Sequence, residues 1–268
     1  MSVPVVVRER SPSRESVQLP PGHADLAVFA LEATGEPPEG VVAFLADRAR
    51  GAGLAGDLDV CDLACGTGRR LACMQQRGWR VRAAEPDRRL RMAARGRFSG
   101  DLLIDGTRPD HLDVRAAFDL VLAWDGALAY LPGVGSRMTA VRRALRALRP
   151  GGLFVLELPH LLWNLSQGLP PVVDTVTTPS GHEVHRVRRD AVDLDGSVVT
   201  RRDHYTVRDP TGAAEEVELV HRLSIVTTQE LAHALQQAGF SAVETWSAPD
   251  ADAPGPVEGP RIIVVARR

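Results

Sequence analysis

The sequence predicts an α/β fold: a doubly wound, seven-stranded sheet with an antiparallel β insertion after the fifth strand. Three observations predict it. Short apolar runs alternate with helix-spaced stretches from Leu58 to Leu158, the pattern of strands joined by crossover helices. A glycine-rich turn, CGTG at 65–68, stands where the first run gives way to a helix. From Leu161 to about Val226 the pattern changes to β-branched residues alternating with charged ones, broken by the turn signals PSG, DLDG and DPTG.

The elements follow in order. Residues 1–22 carry Pro, Ser and Arg without periodicity and read as a flexible N-terminal arm. Residues 23–268 read as a single domain. Between Ala24 and Arg50, Leu26-Val28-Phe29-Leu31 and Val41-Val42-Phe44-Leu45 have helical spacing, separated by the breaker GEPPEG, which gives two short helices. The core, 57–160, then runs strand LDVCDLA, helix RRLACMQQRG, strand WRVRAAE, helix PDRRLRMAARGR and strand DLLID. Strand FDLVLAW, a helix over 136–148, the turn RPGG and strand LFVLEL complete it.

The insertion, 161–228, holds VVDTVTT, HEVHRVRRDAV, SVVTRRDHYTV and EEVELVHRLSIV as antiparallel strands with one face solvated, a small sheet laid over the core. The arginines of HRVRRD, with His182 and His185, fall on the solvated face, where the arginines would suit an acidic or phosphorylated substrate. In the last part, 229–268, TTQELAHALQQAGF has the Thr cap and terminal Gly of a helix. AVETWS and RIIVVAR supply the last two strands.

Composition narrows the function. The chain has 268 residues, 44% apolar and 25% charged, with a formal net charge of -2, so nothing draws it globally to nucleic acid or anionic lipid. No apolar run approaches the ~20 residues that span a bilayer, and the charged start lacks a secretory apolar segment, so the expected compartment is the cytoplasm. The expected partner is a small molecule, and a second copy of the chain is a candidate partner as well. Cys61, Cys65 and Cys73 lack the paired spacing of metal-ligand clusters and read as reduced packing residues, with no metal site expected.

The segment Asp59 to Leu71 reads as strand, glycine turn and helix start, the geometry that aims main-chain N–H groups at a ligand. Alone, the turn is compatible with a nucleotide-like ligand or with plain packing. Three acids sharpen it: Asp62 at the end of the first strand, Glu85 at the end of the second and Asp105 at the end of the third. Carboxylates at successive carboxyl ends line the crevice where such sheets bind ligands, and they suit a cation, ribose hydroxyls and an adenine amino group.

With those residues in view, VCDLACGTG resembles the glycine-rich segment of the class I S-adenosylmethionine-dependent methyltransferases, whose fold is Rossmann-like, and the likeness runs over Leu58 to Leu158. It implies that Asp62, Ala64, Gly66 and Gly68 hold the methionine end of S-adenosyl-L-methionine. Glu85 would bind the ribose, Asp105 and Gly106 would face adenine, and Trp124 in FDLVLAWDGALAYL would lie against the cofactor. Ala64 stands where glycine is frequent. WDGA replaces the Asp-Pro-Pro-Tyr type motif, which points away from nucleobase and protein-glutamine acceptors. The layout of the insertion resembles the small-metabolite subgroup, including glycine-type and amino-sugar N-methyltransferases.

Methyl transfer from a sulfonium asks the protein for alignment and water exclusion, not for a metal. The acceptor would be nitrogen or oxygen of a small metabolite; a hydroxyl acceptor would need a general base. His160 follows the fifth strand at its carboxyl end, and His221 and His204 lie on insertion strands whose facing the sequence leaves open. His160 and His221 are the catalytic candidates, and Tyr130 and Trp163 could wall the acceptor. Two other readings stay open: a regulatory protein that binds the cofactor without catalysis, and a nicotinamide-dependent oxidoreductase. Against the latter, ACGTGRRL has Leu71 where the full G-x-G-x-x-G series has its last glycine.

Overall fold

The computed structural model describes residues 6–9, 36–99, 108–178 and 180–268. The expected helix at Leu26 to Leu31, the strand DLLID, and Asp105 and Gly106 lie outside the described residues. The chain divides into two compact units, residues 1–37 with 164–223, and residues 38–163 with 224–268.

The larger unit is built on a sheet of β2 (Asp59–Asp62), β3 (Arg80–Ala83), β4 (Phe118–Ala123), β5 (Leu148–Pro159), β10 (Ala242–Trp246) and β11 (Arg261–Arg267). Their spatial order is β10-β11-β5-β4-β2-β3. β3, β2, β4 and β5 are parallel, while β11 is antiparallel to both β5 and β10. The chain winds from β2 outward to β3 and then returns to β4 on the other side of β2. That reversal opens a crevice at the carboxyl ends of β2 and β4, where open α/β sheets bind their ligands.

The helices of this unit are α1 (Pro38–Gly51), α2 (Arg69–Gln76), α3 (Arg88–Arg97), α4 (Gly133–Ala147), the start of α5 (Leu161–Ser166) and α6 (Thr228–Ala238). α1 begins on a proline, whose missing N–H is no loss there, and buries Val41, Val42, Phe44 and Leu45 at helical spacing. Those side chains join Leu71, Met74, Leu120 and Ile263 in the main apolar core. α3 is capped by Asp87, which accepts from the N–H groups of Arg89 and Leu90. α6 is capped by Thr227 and ends on Gly239 at φ +107, the left-handed stop that its sequence announced.

One strand differs from expectation. β5 does not start after the RPGG turn; it begins at Leu148 and runs through it. A register shift between Phe118 and Leu120 absorbs the irregularity. Gly152 is required there, since a Cβ would lie 2.9 Å from the Asp119 carbonyl oxygen and 3.0 Å from that of Arg149.

The smaller unit is a sheet of β1 (Val6–Glu9), β6 (Val172–Thr177), β7 (Glu183–Asp193), β8 (Val198–Arg208) and β9 (Ala214–Ser224), in that spatial order. The arm expected to be flexible thus contributes a described strand, paired parallel with β6. Two of the three arginines of HRVRRD depart from expectation: Arg186 is only 9% exposed and Arg188 is half-buried, while Arg189 is exposed. Alternation puts the first two on the face of buried Val184, and the register sets Arg186 opposite Asp174 and Arg188 opposite Asp203. Each arginine is hydrogen-bonded to the acid across from it, and Arg201 likewise to Asp190. His185 does lie exposed, against Thr175. No helix among the described residues is long and apolar enough to cross a membrane.

Candidate functional site

The chain leaves β2 at Asp62, and the parallel ladder continues one step on each side: Leu63 N–H donates to Leu122 O at 2.9 Å, and Ala84 N–H to Asp62 O at 2.8 Å. The glycine loop therefore starts from a fixed point between two strands. Gly66 and Gly68 then take φ of +59 and +82. At Gly68 the constraint is also steric, because a Cβ would lie 3.1 Å from Cα of Ala94 on α3. α2 starts from Gly68 with no side-chain cap at its N-terminus.

Asp62 is fully buried. Its Oδ1 accepts from Ala64 N–H at 3.2 Å, and its Oδ2 has no hydrogen-bond partner among the described residues, the Arg70 Nε lying 3.8 Å away. Burial pushes this carboxyl up, opposed by the Arg70 guanidinium and the Ala64 N–H. A buried carboxylate oxygen without a donor is costly unless a ligand supplies one.

Glu85 lies two residues beyond β3. Its Oε2 accepts from Gly66 N–H and its Oε1 from Asp87 N–H, both at 2.8 Å. Burial pushes it up to about 7, against the pull of those two N–H groups. Each oxygen keeps a lone pair for a further donor. Arg91 holds the Glu85 carbonyl oxygen at 2.6 Å, and Arg97 donates to Thr67 Oγ1 at 2.5 Å, so α3 braces the loop from behind.

The structure thus brings Asp62, Ala64, Gly66, Gly68 and Glu85 together around one crevice. Trp124 directly follows β4 beside them, 2% exposed and packed in the core. His160 sits at the end of β5, but its Nδ1 is bonded to Gly259 O at 3.0 Å and its N–H to Pro260 O, so the ring ties down the loop before β11. His221 belongs to the other unit. It shares a sheet face with Asp203, whose Oδ2 is 3.8 Å from its Nε2, while His204 faces the opposite way near Glu216. Burial pushes the His221 imidazole down, opposed by Asp203 and reinforced by Arg201, Arg188 and Arg186. Cys61 and Cys65 are free and buried, and burial pushes both thiols up, which makes them inert packing groups.

Two residues of the crevice carry no signal in the patterns that found the others. Arg70, in the first turn of α2, donates to Asp125 at 2.6 Å, and Asp125 holds φ +52 in the turn after β4. The dipeptide Asp125-Gly126 directly after a strand is the mark that could have found the second of them.

This arrangement could hold an ammonium at Asp62 Oδ2, a carboxylate at the first turn of α2 and vicinal hydroxyls at the two Glu85 oxygens. Residues 60–152 match a family described as a methyltransferase domain. The chain is 29% identical over 189 residues to the dTDP-4-amino-2,3,4,6-tetradeoxy-D-glucose N,N-dimethyltransferase of Saccharopolyspora spinosa, across 70% of this chain and 74% of that one. Its fold matches a S-adenosylmethionine-dependent methyltransferase from Clostridium acetobutylicum at TM-score 0.74 and 15% identity, covering 91% and 96% of the two chains. It also matches the S-adenosylmethionine-bound CalS10 from Micromonospora echinaspora, an amino pentose methyltransferase of calicheamicin biosynthesis. That match has TM-score 0.69 and 25% identity, with 91% and 97% coverage.

Proposed function

We propose that the chain is a class I S-adenosylmethionine-dependent methyltransferase and that it methylates the amino nitrogen of an amino sugar. The observation that carries the cofactor half of this reading is Asp62 Oδ2, a fully buried carboxylate oxygen without a hydrogen-bond donor, beside a glycine loop tethered to Glu85. The acceptor half rests on the similarity to the amino-sugar dimethyltransferase, which extends over 70% of the chain.

When bound, the cofactor supplies an activated sulfonium methyl group. The chain's own residues bind and align. Asp62 takes the ammonium of the methionine portion, Glu85 takes the ribose hydroxyls, and the first turn of α2 faces the carboxylate. Asp105 with Gly106 at adenine, and Trp124 as a wall, complete the set. The acceptor nitrogen must present a lone pair to the methyl group at the moment of transfer, so an amine that binds as its ammonium form needs an unprotonated group to take its proton. His221, in the smaller unit, is one candidate named by the sequence: burial pushes its imidazole down, and Asp203 lies beside it. His160, at the carboxyl end of β5 but tied to Gly259, is the second candidate.

Calorimetry with S-adenosylhomocysteine tests the first half; absence of binding would sink it. Turnover with a nucleotide-linked amino sugar, followed by mass spectrometry of the product, tests the second. A methyl group found on oxygen, or no transfer to any amino sugar, would overturn that part.

A further inference from the structure

The turn after β4 and the loop after β2 are joined by one ion pair. Arg70 Nη1 donates to Asp125 Oδ2 at 2.6 Å, and Arg70 Nε lies 3.8 Å from Asp62 Oδ2, so a single guanidinium stands between two carboxylates on either side of the crevice. The two partners differ in a way that decides which can let go. Asp125 has a side chain 66% exposed, so its hold on Arg70 shifts an equilibrium by about fivefold at most. The Arg70 side chain is 13% exposed and stays near Asp62 whichever other partner it has.

The backbone beneath Asp125 is fixed. Its φ of +52 is uncommon outside glycine, Gly126 N–H is held by Glu157 O at 3.1 Å, and Gly126 abuts Pro159. The Asp125 side chain can therefore change partner without the turn moving.

We infer that Arg70 exchanges partners: it leaves Asp125 for the carboxylate of the cofactor's methionine portion, and Asp125, released at the carboxyl end of β4, then holds the ammonium form of the acceptor amine. The inference rests on the cofactor reading above. It makes cofactor binding the step that completes the acceptor site. Asp62 and Arg70 read the two ends of an amino-acid zwitterion with opposite charges, and Asp125 serves as the placeholder for the missing carboxylate. Asp125 is a positioning and specificity residue here, since an anionic anchor selects an amine over a neutral hydroxyl.

Calorimetry on the full chain separates the outcomes, with S-adenosylhomocysteine, which carries the carboxylate, and 5′-methylthioadenosine, which does not. Arg70→Gln is expected to weaken S-adenosylhomocysteine by about 10- to 100-fold and to leave 5′-methylthioadenosine within about twofold. Arg70→Lys, which keeps the charge, should restore part of the loss. Asp125→Asn removes the competitor, so it is expected to tighten S-adenosylhomocysteine by about two- to fivefold while raising the acceptor KM more than it lowers kcat. Equal weakening of both ligands by Arg70→Gln, or weaker S-adenosylhomocysteine binding in Asp125→Asn, overturns the exchange. If the unaltered protein binds 5′-methylthioadenosine but Arg70→Gln costs nothing with either ligand, the exchange falls and the cofactor reading stands. If it binds neither, both fall.

Discussion

The main-chain N–H of Gly66 donates to Oε2 of Glu85 at 2.8 Å, so the glycine loop after β2 is anchored by the acid that follows β3. The same carboxylate is the proposed ribose partner. One side chain therefore sets loop shape and ligand affinity together.

Glu85 is pushed up to about 7 by burial. Ligand hydroxyls donate best to the ionised form, so binding favours proton loss, and S-adenosylhomocysteine affinity should rise as pH climbs through about 7 and level off above it. The gain is about tenfold for each unit by which binding lowers the Glu85 value. Glu85→Gln turns an amide NH2 toward the Gly66 or the Asp87 N–H. It should bind more weakly at every pH and lose the slope; an unchanged slope in calorimetry would assign it to another group.

His221 offers a kinetic test. Burial holds its imidazole below the ordinary histidine value, so the acid limb of kcat should fall below the pH at which a free imidazole titrates. His221→Gln should lower kcat by about 10²- to 10⁴-fold and erase that limb. Persistence of the limb in the variant, with its loss in His160→Gln instead, would move the base to the end of β5.

Gly152→Ala probes the sheet rather than the site. The new methyl would lie 2.9 Å from Asp119 O and 3.0 Å from Arg149 O, both main-chain atoms, so β4 and β5 must separate. The expected cost is roughly 1–3 kcal/mol, read by calorimetry as a melting temperature several degrees lower.

Asp174 and Arg186 form a buried cross-strand pair in the smaller sheet. Asp174→Ala would leave the Arg186 charge without this partner and is expected to cost about 3–5 kcal/mol. Asp174→Leu with Arg186→Met should recover most of that, because breaking such a pair costs more than replacing it. A double variant no more stable than the single one, in a chemical denaturation series, would show that the pair is needed as such.

Legibility in the sequence followed the range of the physics. Helical spacing in α1, the Thr227 and Gly239 ends of α6 and the acids Asp62 and Glu85 beyond parallel strands are set by neighbours a few residues away, and all could be read. The destination of Arg186 could not, because it is fixed by its register with Asp174, and nothing local to HRVRRD reports that pairing. Nor could the continuation of β5 through RPGG, which depends on the close approach of Asp119 O to Gly152. The tether of His160 to Gly259 likewise spans 99 positions of sequence.

The pairing of β1 with β6 sets an order of events in the making of the chain. Val6 meets Val172, so β1 has no partner until the insertion has been synthesised. At about 5–20 residues per second, that leaves it unpaired for roughly ten to thirty seconds. The larger unit must also wait, since its α6, β10 and β11 follow the insertion in the chain. Through most of that interval β1 is an open strand edge, the kind of surface that a chaperone shields.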